Sequence, residues 1–206
     1  MQIDLPACQT LIVGRSGSGK TTFALRYLLN VSAACRFIFD DRGQAAARLR
    51  IRTARTAIEV EEALATHWVC FDPHGMFPGR LPEAFRWFCA WCYDVAQRGP
   101  GKKVLLVDEV WRWCDSWKIP QELANIVQTG RIHGLELCCC TQMPNKLPEA
   151  ITNEATELVC FSLQGANGLD RVADKGADSD AVAALPKGSF LAYNCDSGGQ
   201  LAGRLF

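Results

Sequence analysis

The stretch Gly14-Arg15-Ser16-Gly17-Ser18-Gly19-Lys20-Thr21 decides how this chain is read. It fits GxxxxGK followed by Ser or Thr, the Walker A pattern, in full. An apolar run, Thr10-Leu11-Ile12-Val13, precedes it and predicts a strand. The residues after it, Thr21 to Leu29, predict a helix. Strand, glycine loop and helix together make a phosphate cradle. Glycines let backbone N–H groups turn inward around an anion, and the helix N-terminus adds positive dipole beneath it. Gly14, Arg15, Ser16, Gly17, Ser18, Gly19, Lys20, Thr21 and Thr22 are thus the candidate nucleotide-binding residues. Lys20 is expected on the β- and γ-phosphates, and the Thr21 hydroxyl on Mg²⁺. The Arg15 side chain is read as a surface or interface group.

A second signal lies downstream. Val104-Leu105-Leu106-Val107-Asp108-Glu109 delivers two acids to the carboxyl end of a predicted strand, where open α/β sheets bind ligands. This is the Walker B pattern. Asp108 is expected to hold Mg²⁺ opposite Thr21. Glu109 suits an ATPase in which a glutamate orients and deprotonates an attacking water. A third element ends the next apolar run, Leu135 to Cys140, at Thr141-Gln142. An amide at that strand end, Gln142, can sense the γ-phosphate or position the water. An ordinary strand-end glutamine is the alternative.

The apolar runs 9–13, 35–39, 68–71, 104–107, 135–140, 158–163 and 190–193 predict strands. They are short and nearly continuous, as suits parallel strands covered on both faces. Helical patterns lie at 20–29, 57–65, 83–97 and 119–130. Alternating strands and helices predict a three-layer α/β P-loop fold of the RecA-like, additional-strand type, with a mostly parallel central sheet. Asn194 to Gly199 reads as a turn between two last strands, which predicts antiparallel strands at the C-terminal edge. At 206 residues, the chain is expected to form one domain over 1–206.

Composition narrows the function classes. Apolar residues make up 49% and charged residues 21%, which excludes a disordered chain. Lys+Arg and Asp+Glu both number 22, so bulk positive charge cannot drive nucleic-acid coating, although a local basic surface remains open. The first ten residues show no basic, apolar leader and no run reaches membrane-spanning length, so a soluble cytosolic protein is expected. The eleven cysteines are an odd number, which suits reduced thiols used as small apolar side chains. Cys89-Ala-Trp-Cys92 is the one redox-like or metal-like spacing, and no second pair accompanies it.

Taken in order, these elements resemble the FtsK–HerA superfamily of DNA-pumping ATPases. Gly130-Arg131-Ile132-His133-Gly134-Leu135 leading to Thr141-Gln142-Met143-Pro144 is similar to that superfamily's arginine-glycine turn, strand and Gln-Arg-Pro segment, with Met143 standing where an arginine is common. Cys70-Phe71-Asp72-Pro73-His74-Gly75 resembles the Asp-Pro-His-Gly stretch of HerA-like members, and Leu185-Pro186-Lys187-Gly188 resembles a late Leu-Pro-x-Gly stretch. With no added domain recognised, the chain is similar to the genome-packaging ATPases of tailless icosahedral viruses with double-jelly-roll capsids. The resemblance implies a hexameric ring with double-stranded DNA in its channel and ATP between subunits. It also implies action in the host cytoplasm at a capsid or virion-vertex protein. It suggests Arg131 as the arginine that stabilises transition-state charge, within its own subunit or across an interface; a solvated helix-end arginine is the alternative.

Arg42, Arg48, Arg50, Arg52 and Arg55 form the densest basic stretch and are the candidate DNA contacts. A solvated face or an intersubunit salt-bridge surface is the bland alternative. The tryptophans group as Trp87/Trp91 and Trp111/Trp113/Trp117 and are expected to pack in the core or between subunits. Three rivals stand beside the packaging reading. One is a DNA-export ATPase of filamentous-phage type, which commonly carries a membrane segment. Another is a small-molecule or nucleotide kinase, which would want an acceptor pocket and an arginine-rich lid. The third is a nucleotide-gated scaffold without turnover.

Overall fold

Most of the apolar runs become strands covered on both faces, whereas 190–193 alternates between buried and half-buried. The computed structural model describes residues 8–114 and 118–206. Trp117, of the second tryptophan group, lies outside the described residues. The strands are β1 (Gln9–Val13), β2 (Cys35–Phe39), β3 (Thr53–Ala54), β4 (Trp68–Phe71), β5 (Lys103–Val107), β6 (Leu135–Thr141), β7 (Glu157–Phe161), β8 (Ser189–Asn194) and β9 (Gln200–Arg204). The helices are α1 (Lys20–Asn30), α2 (Gln44–Leu49), α3 (Ala57–Ala63), α4 (Leu81–Arg98), α5 (Gln121–Thr129), α6 (Glu149–Asn153), α7 (Ala166–Ala173) and α8 (Ser179–Ala184). The sheet order is β3-β4-β2-β5-β6-β1-β7-β8-β9. Pairings β3–β4, β4–β2, β2–β5 and β1–β7 are parallel. Pairings β7–β8 and β8–β9 are antiparallel, so the C-terminal hairpin forms as the turn at 194–199 predicts.

The chain divides into two compact units. The first holds Asn30–Val107 and Pro120–Leu137. Its β2, β4 and β5 carry a fully buried aromatic and aliphatic core in which Phe39 and Phe71 meet Phe85 and Phe88 of α4. Trp87 and Trp91, one helical turn apart, pack against Phe71 and Phe88 of the same core. They are packing residues there, with the Trp91 indole N–H donating to Glu61. The N-terminus of α3 is a capping box: the Thr56 hydroxyl accepts from the Glu59 N–H, and the Glu59 carboxylate accepts from the Thr56 N–H. The predicted helix at 57–65 is α3 continued by a 3₁₀ turn, Leu64–Thr66, which stops where His67 turns left-handed.

The second unit holds Gln9–Leu29, Asp108–Ile119 and Cys138–Phe206. In it β1 is buried at every position and lies beside β7, with Val13 opposite Cys160. Phe23 of α1 packs on Phe161 and Phe190, fixing the helix against β7 and β8. Strand β9 is exposed at the sheet edge. The cysteines are free thiols, and most are buried, including Cys89 and Cys92. Burial pushes the Cys92 thiol well above its ordinary range and the Cys160 thiol up to about 12. Such groups stay protonated and fill space. Among the described residues no helix is long and apolar enough to cross a membrane.

Candidate active site

The phosphate loop spans 14–19, between β1 and α1, and its neighbours in the second unit hold it in shape. The Gly14 N–H donates to the Thr141 carbonyl at 3.3 Å and the Arg15 N–H to the Ser162 carbonyl at 2.9 Å. The ends of β6 and β7 thus fix the loop's first turn. On its far side the Gly188 N–H donates to the Ser18 carbonyl at 3.2 Å. That bond comes from the Leu-Pro-x-Gly stretch singled out in the sequence. Gly14 has φ +153° and no room for a side chain: a Cβ there would stand 2.6 Å from the Phe161 Cβ. Beyond these anchors, the N–H groups of Ser16, Gly17, Gly19 and Lys20 make no backbone hydrogen bond among the described residues. Ser18 Oγ is buried without a hydrogen-bond partner among them. Donors left open around a glycine turn at a helix N-terminus fit a phosphate chain.

Lys20 is 5% exposed. Its ammonium donates to the Gly14 carbonyl at 2.8 Å and the Arg15 carbonyl at 3.2 Å, so the loop's own backbone satisfies it. The Glu109 Oε1 lies 3.8 Å away. The Thr21 hydroxyl donates to the Asp108 Oδ2 at 2.9 Å. Asp108 and Thr21, 87 positions apart in the chain, meet as the two motifs predict. Their oxygens are hard donors of the kind Mg²⁺ takes. Among the described residues no cluster of three or more His, Cys, Asp or Glu could hold a metal. An ion here would rest on one or two protein oxygens, with phosphate and water supplying the rest, which is how Mg²⁺ is usually held.

Glu109 occupies a left-handed backbone conformation, φ 49° and ψ 52°. A non-glycine residue there is strained by about 1–3 kcal/mol and marks a site where aim outweighs comfort. Its N–H donates to the Asp108 Oδ1 at 3.0 Å. Its Oε2 accepts from the Trp111 indole N–H at 2.8 Å and from the Gln142 backbone N–H at 3.2 Å. Gln142 therefore reaches this carboxylate through its main chain, a contact that its side-chain identity did not announce. Below it, the Thr141 hydroxyl accepts from the Met143 N–H at 2.9 Å and shapes the exit of β6.

No protein-family model and no curated protein sequence matches the chain. Solved structures do. The genome packaging NTPase B204 from Sulfolobus turreted icosahedral virus 2, in complex with AMPPCP, aligns over 98% of this chain and 100% of that one, with TM-score 0.70 and 18% identity. B204, the DNA-packaging ATPase from Sulfolobus Turreted Icosahedral Virus, aligns over 98% of each chain with TM-score 0.68 and 16% identity. VirB4 of Thermoanaerobacter pseudethanolicus aligns over 96% of this chain and 89% of that one, with TM-score 0.67 and 13% identity. This chain shares their fold. The fold implied by the FtsK–HerA resemblance is thereby met.

The remaining candidates sit in the first unit. Arg131 is exposed on a 3₁₀ turn, Gly130–His133, which Gly134 closes at φ 70°. Arg42, Arg48, Arg50, Arg52 and Arg55 are all exposed. Arg52 pairs with Glu59 at 3.2 Å and Arg55 with Asp72 at 2.8 Å. Arg42, Arg48 and Arg50 form no ion pair among the described residues. The five split into two committed to carboxylates and three presented to solvent. Asp72 also accepts from His74 at 2.9 Å, so the Asp-Pro-His-Gly stretch closes on itself and on Arg55. Sequence reasoning missed Trp111 as a partner of Glu109, and only its two-residue spacing from the acid hinted at it.

Proposed function

We propose that this chain is a Mg²⁺-dependent ATPase that drives double-stranded viral DNA into a preformed capsid. One observation carries the hydrolytic half: Lys20, Thr21, Asp108 and Glu109 converge on the phosphate loop within 4 Å contacts. The packaging half is supported by end-to-end likeness to B204, whose own chain is covered completely.

Lys20 turns from the loop carbonyls to the β- and γ-phosphates. Thr21 and Asp108 would hold Mg²⁺, which supplies charge neutralisation on the phosphates. Glu109 takes the proton of a water whose oxygen attacks the γ-phosphorus, and the β–γ bridging oxygen leaves with ADP. Gln142, at the end of β6, reports the γ-phosphate through the same carboxylate. Arg131 stabilises transition-state charge, and a hexameric ring supplies it with a neighbouring site. Arg42, Arg48 and Arg50 grip the DNA backbone without reading sequence. The ring acts in the host cytoplasm at the capsid vertex. A chain of zero net charge can do this by lining a channel with a few arginines.

The test is steady-state ATP hydrolysis with and without linear duplex DNA, at concentrations that favour rings, with Lys20→Ala and Glu109→Gln alongside. Stimulation by duplex of any sequence, lost in both variants, supports the motor. Turnover indifferent to DNA sinks the pump in this form, and turnover intact in Glu109→Gln removes Glu109 as the base.

A further inference from the structure

Glu109 is the one residue of the cluster whose backbone is strained, and three groups hold its carboxylate. One is Lys20, a cation that nucleotide binding recruits elsewhere. Another is the Gln142 N–H. The third is Trp111, whose indole N–H gives the shortest of the three contacts, 2.8 Å. Trp111 sits in a 3₁₀ turn, Val110–Trp113, whose Val110 and Trp113 are buried and whose Arg112 N–H donates to the Glu109 carbonyl at 3.0 Å. The turn is thus anchored on both sides of Trp111. The ring itself is half-buried and lies under the Lys146 ammonium, 5.1 Å from its centroid. Lys146 ends the 3₁₀ turn Pro144–Lys146, four residues beyond Gln142. The segment that leaves β6 therefore reaches Glu109 twice: directly through the Gln142 N–H, and through Lys146 and the Trp111 ring.

We propose that Trp111 is a positioning residue for hydrolysis. It holds the Glu109 carboxylate in its left-handed, productive aim and couples that aim to the segment 142–146. This rests on Glu109 being the base. An indole N–H suits the task because it is a donor only and cannot compete with the carboxylate for the water's proton. The Lys146 ammonium over its face is attracted to the ring and links it to the segment that leaves β6.

Two variants separate the N–H from the ring. Trp111→Phe keeps the ring and the Lys146 contact but removes the donor. Trp111→Gln discards the ring but keeps an N–H of similar reach. Both are compared in kcat, KM for ATP and melting temperature, with Glu109→Gln as reference. The expected result is a kcat for Trp111→Phe lower by about ten- to a hundredfold, the worth of one hydrogen bond to a charged group. KM and melting temperature stay near those of the parent, and Trp111→Gln retains more kcat than Trp111→Phe. If Trp111 merely packs, the order reverses: Phe is tolerated and Gln lowers melting temperature and activity together, which overturns the proposal. If Glu109→Gln turns over normally, the base assignment fails first and this proposal with it. If Glu109→Gln is inactive while Trp111→Phe retains parental kcat, only the role of Trp111 is refuted.

Discussion

Replacing Gly14 by alanine should unfold far more of this protein's stability than replacing Gly17, three residues along the same loop. At Gly14 an added Cβ would stand 2.6 Å from the Phe161 Cβ and 2.8 Å from the Ser18 Oγ. Carbon pairs pack at about 3.5–4.0 Å, so the contact is short by about an ångström. The Ser18 hydroxyl can rotate aside. The Phe161 Cβ cannot, because it belongs to a fully buried residue on β7, held in parallel register beside β1. Overpacking of this kind costs about 1–3 kcal/mol, and a φ of +153° adds about 1–3 kcal/mol for any residue with a side chain. The expected loss is about 4 kcal/mol, against roughly 5–15 for a whole domain. At Gly17, φ is +71° and no atom lies within 4 Å of an added Cβ, so only the backbone cost remains, about 1–2 kcal/mol. Equilibrium urea denaturation of the two variants and the parent, without nucleotide, measures both. Phe161→Ala does not rescue Gly14→Ala, because alanine keeps the offending Cβ. If the two glycine variants fall within about 1 kcal/mol of each other, the loop is not wedged against β7 and the account of its rigidity is wrong.

Other expectations concern the first unit. Glu136 is fully buried and pairs with Lys102 at 2.7 Å, so Lys102→Ala should cost about 3–5 kcal/mol by denaturation, whereas an apolar replacement of both partners should be close to neutral. Burial alone would raise the Asp72 carboxyl, but hydrogen bonds from His74 and Arg55 bring it below its ordinary value. A lowered carboxyl stabilises the fold above its unfolded-state value and loses that contribution as pH falls through the folded-state value. The stability gap between the parent and Asp72→Asn should therefore be widest near neutrality and close in acid, as read by denaturation across pH; a gap independent of pH would refute it. If Arg42, Arg48 and Arg50 contact phosphates, changing all three to alanine should weaken duplex binding and flatten its salt dependence by a slope of about three, while an unchanged slope assigns them to another surface.

The fold was legible wherever pattern and chemistry were local. Residues 9–13, 35–39 and 68–71 are mainly apolar runs, and their strand bounds match the structure because burial on both faces leaves few polar residues in them, Gln9, Thr10 and Arg36. Helix α2 escaped notice for the opposite reason. Its first residue follows Gly43, which offers no side-chain cap, and its N-terminal N–H groups at Gln44 and Ala46 are satisfied by Asp40, on the far side of a turn. Strand β3 has two residues, too few to show a period. Helices α6, α7 and α8 have five to eight residues each, too few for an apolar stripe to repeat countably. In the site, the meeting of Thr21 with Asp108 and of Lys20 with the loop was readable because those residues stand at fixed places in two local motifs. The Gln142 contact was not, since a backbone N–H carries no letter in the sequence.

The strain at Glu109 and the resting place of Lys20 belong to one device. Buried at 5% exposure, the Lys20 ammonium would be costly without partners, and the Gly14 and Arg15 carbonyls supply them in advance. If the loop binds a phosphate as proposed, the ammonium trades those two carbonyls for anionic oxygens, so the lysine is neither desolvated nor ordered at that moment. The same movement would draw the cation from its place 3.8 Å from Glu109. In that state the neutral donors at Trp111 and Gln142 would remain to hold the carboxylate of a residue whose backbone is left-handed, uphill by about a kcal/mol or more. If Glu109 is the base, it needs that substitution: a lysine in permanent contact would hold its electron pair, whereas two N–H groups on one oxygen leave the other free to face water. On that reading, removing the Trp111 donor should cost turnover more than it costs nucleotide affinity, which the reading assigns to Lys20. A variant in which both fall together would mean that the two halves of the device are not separable.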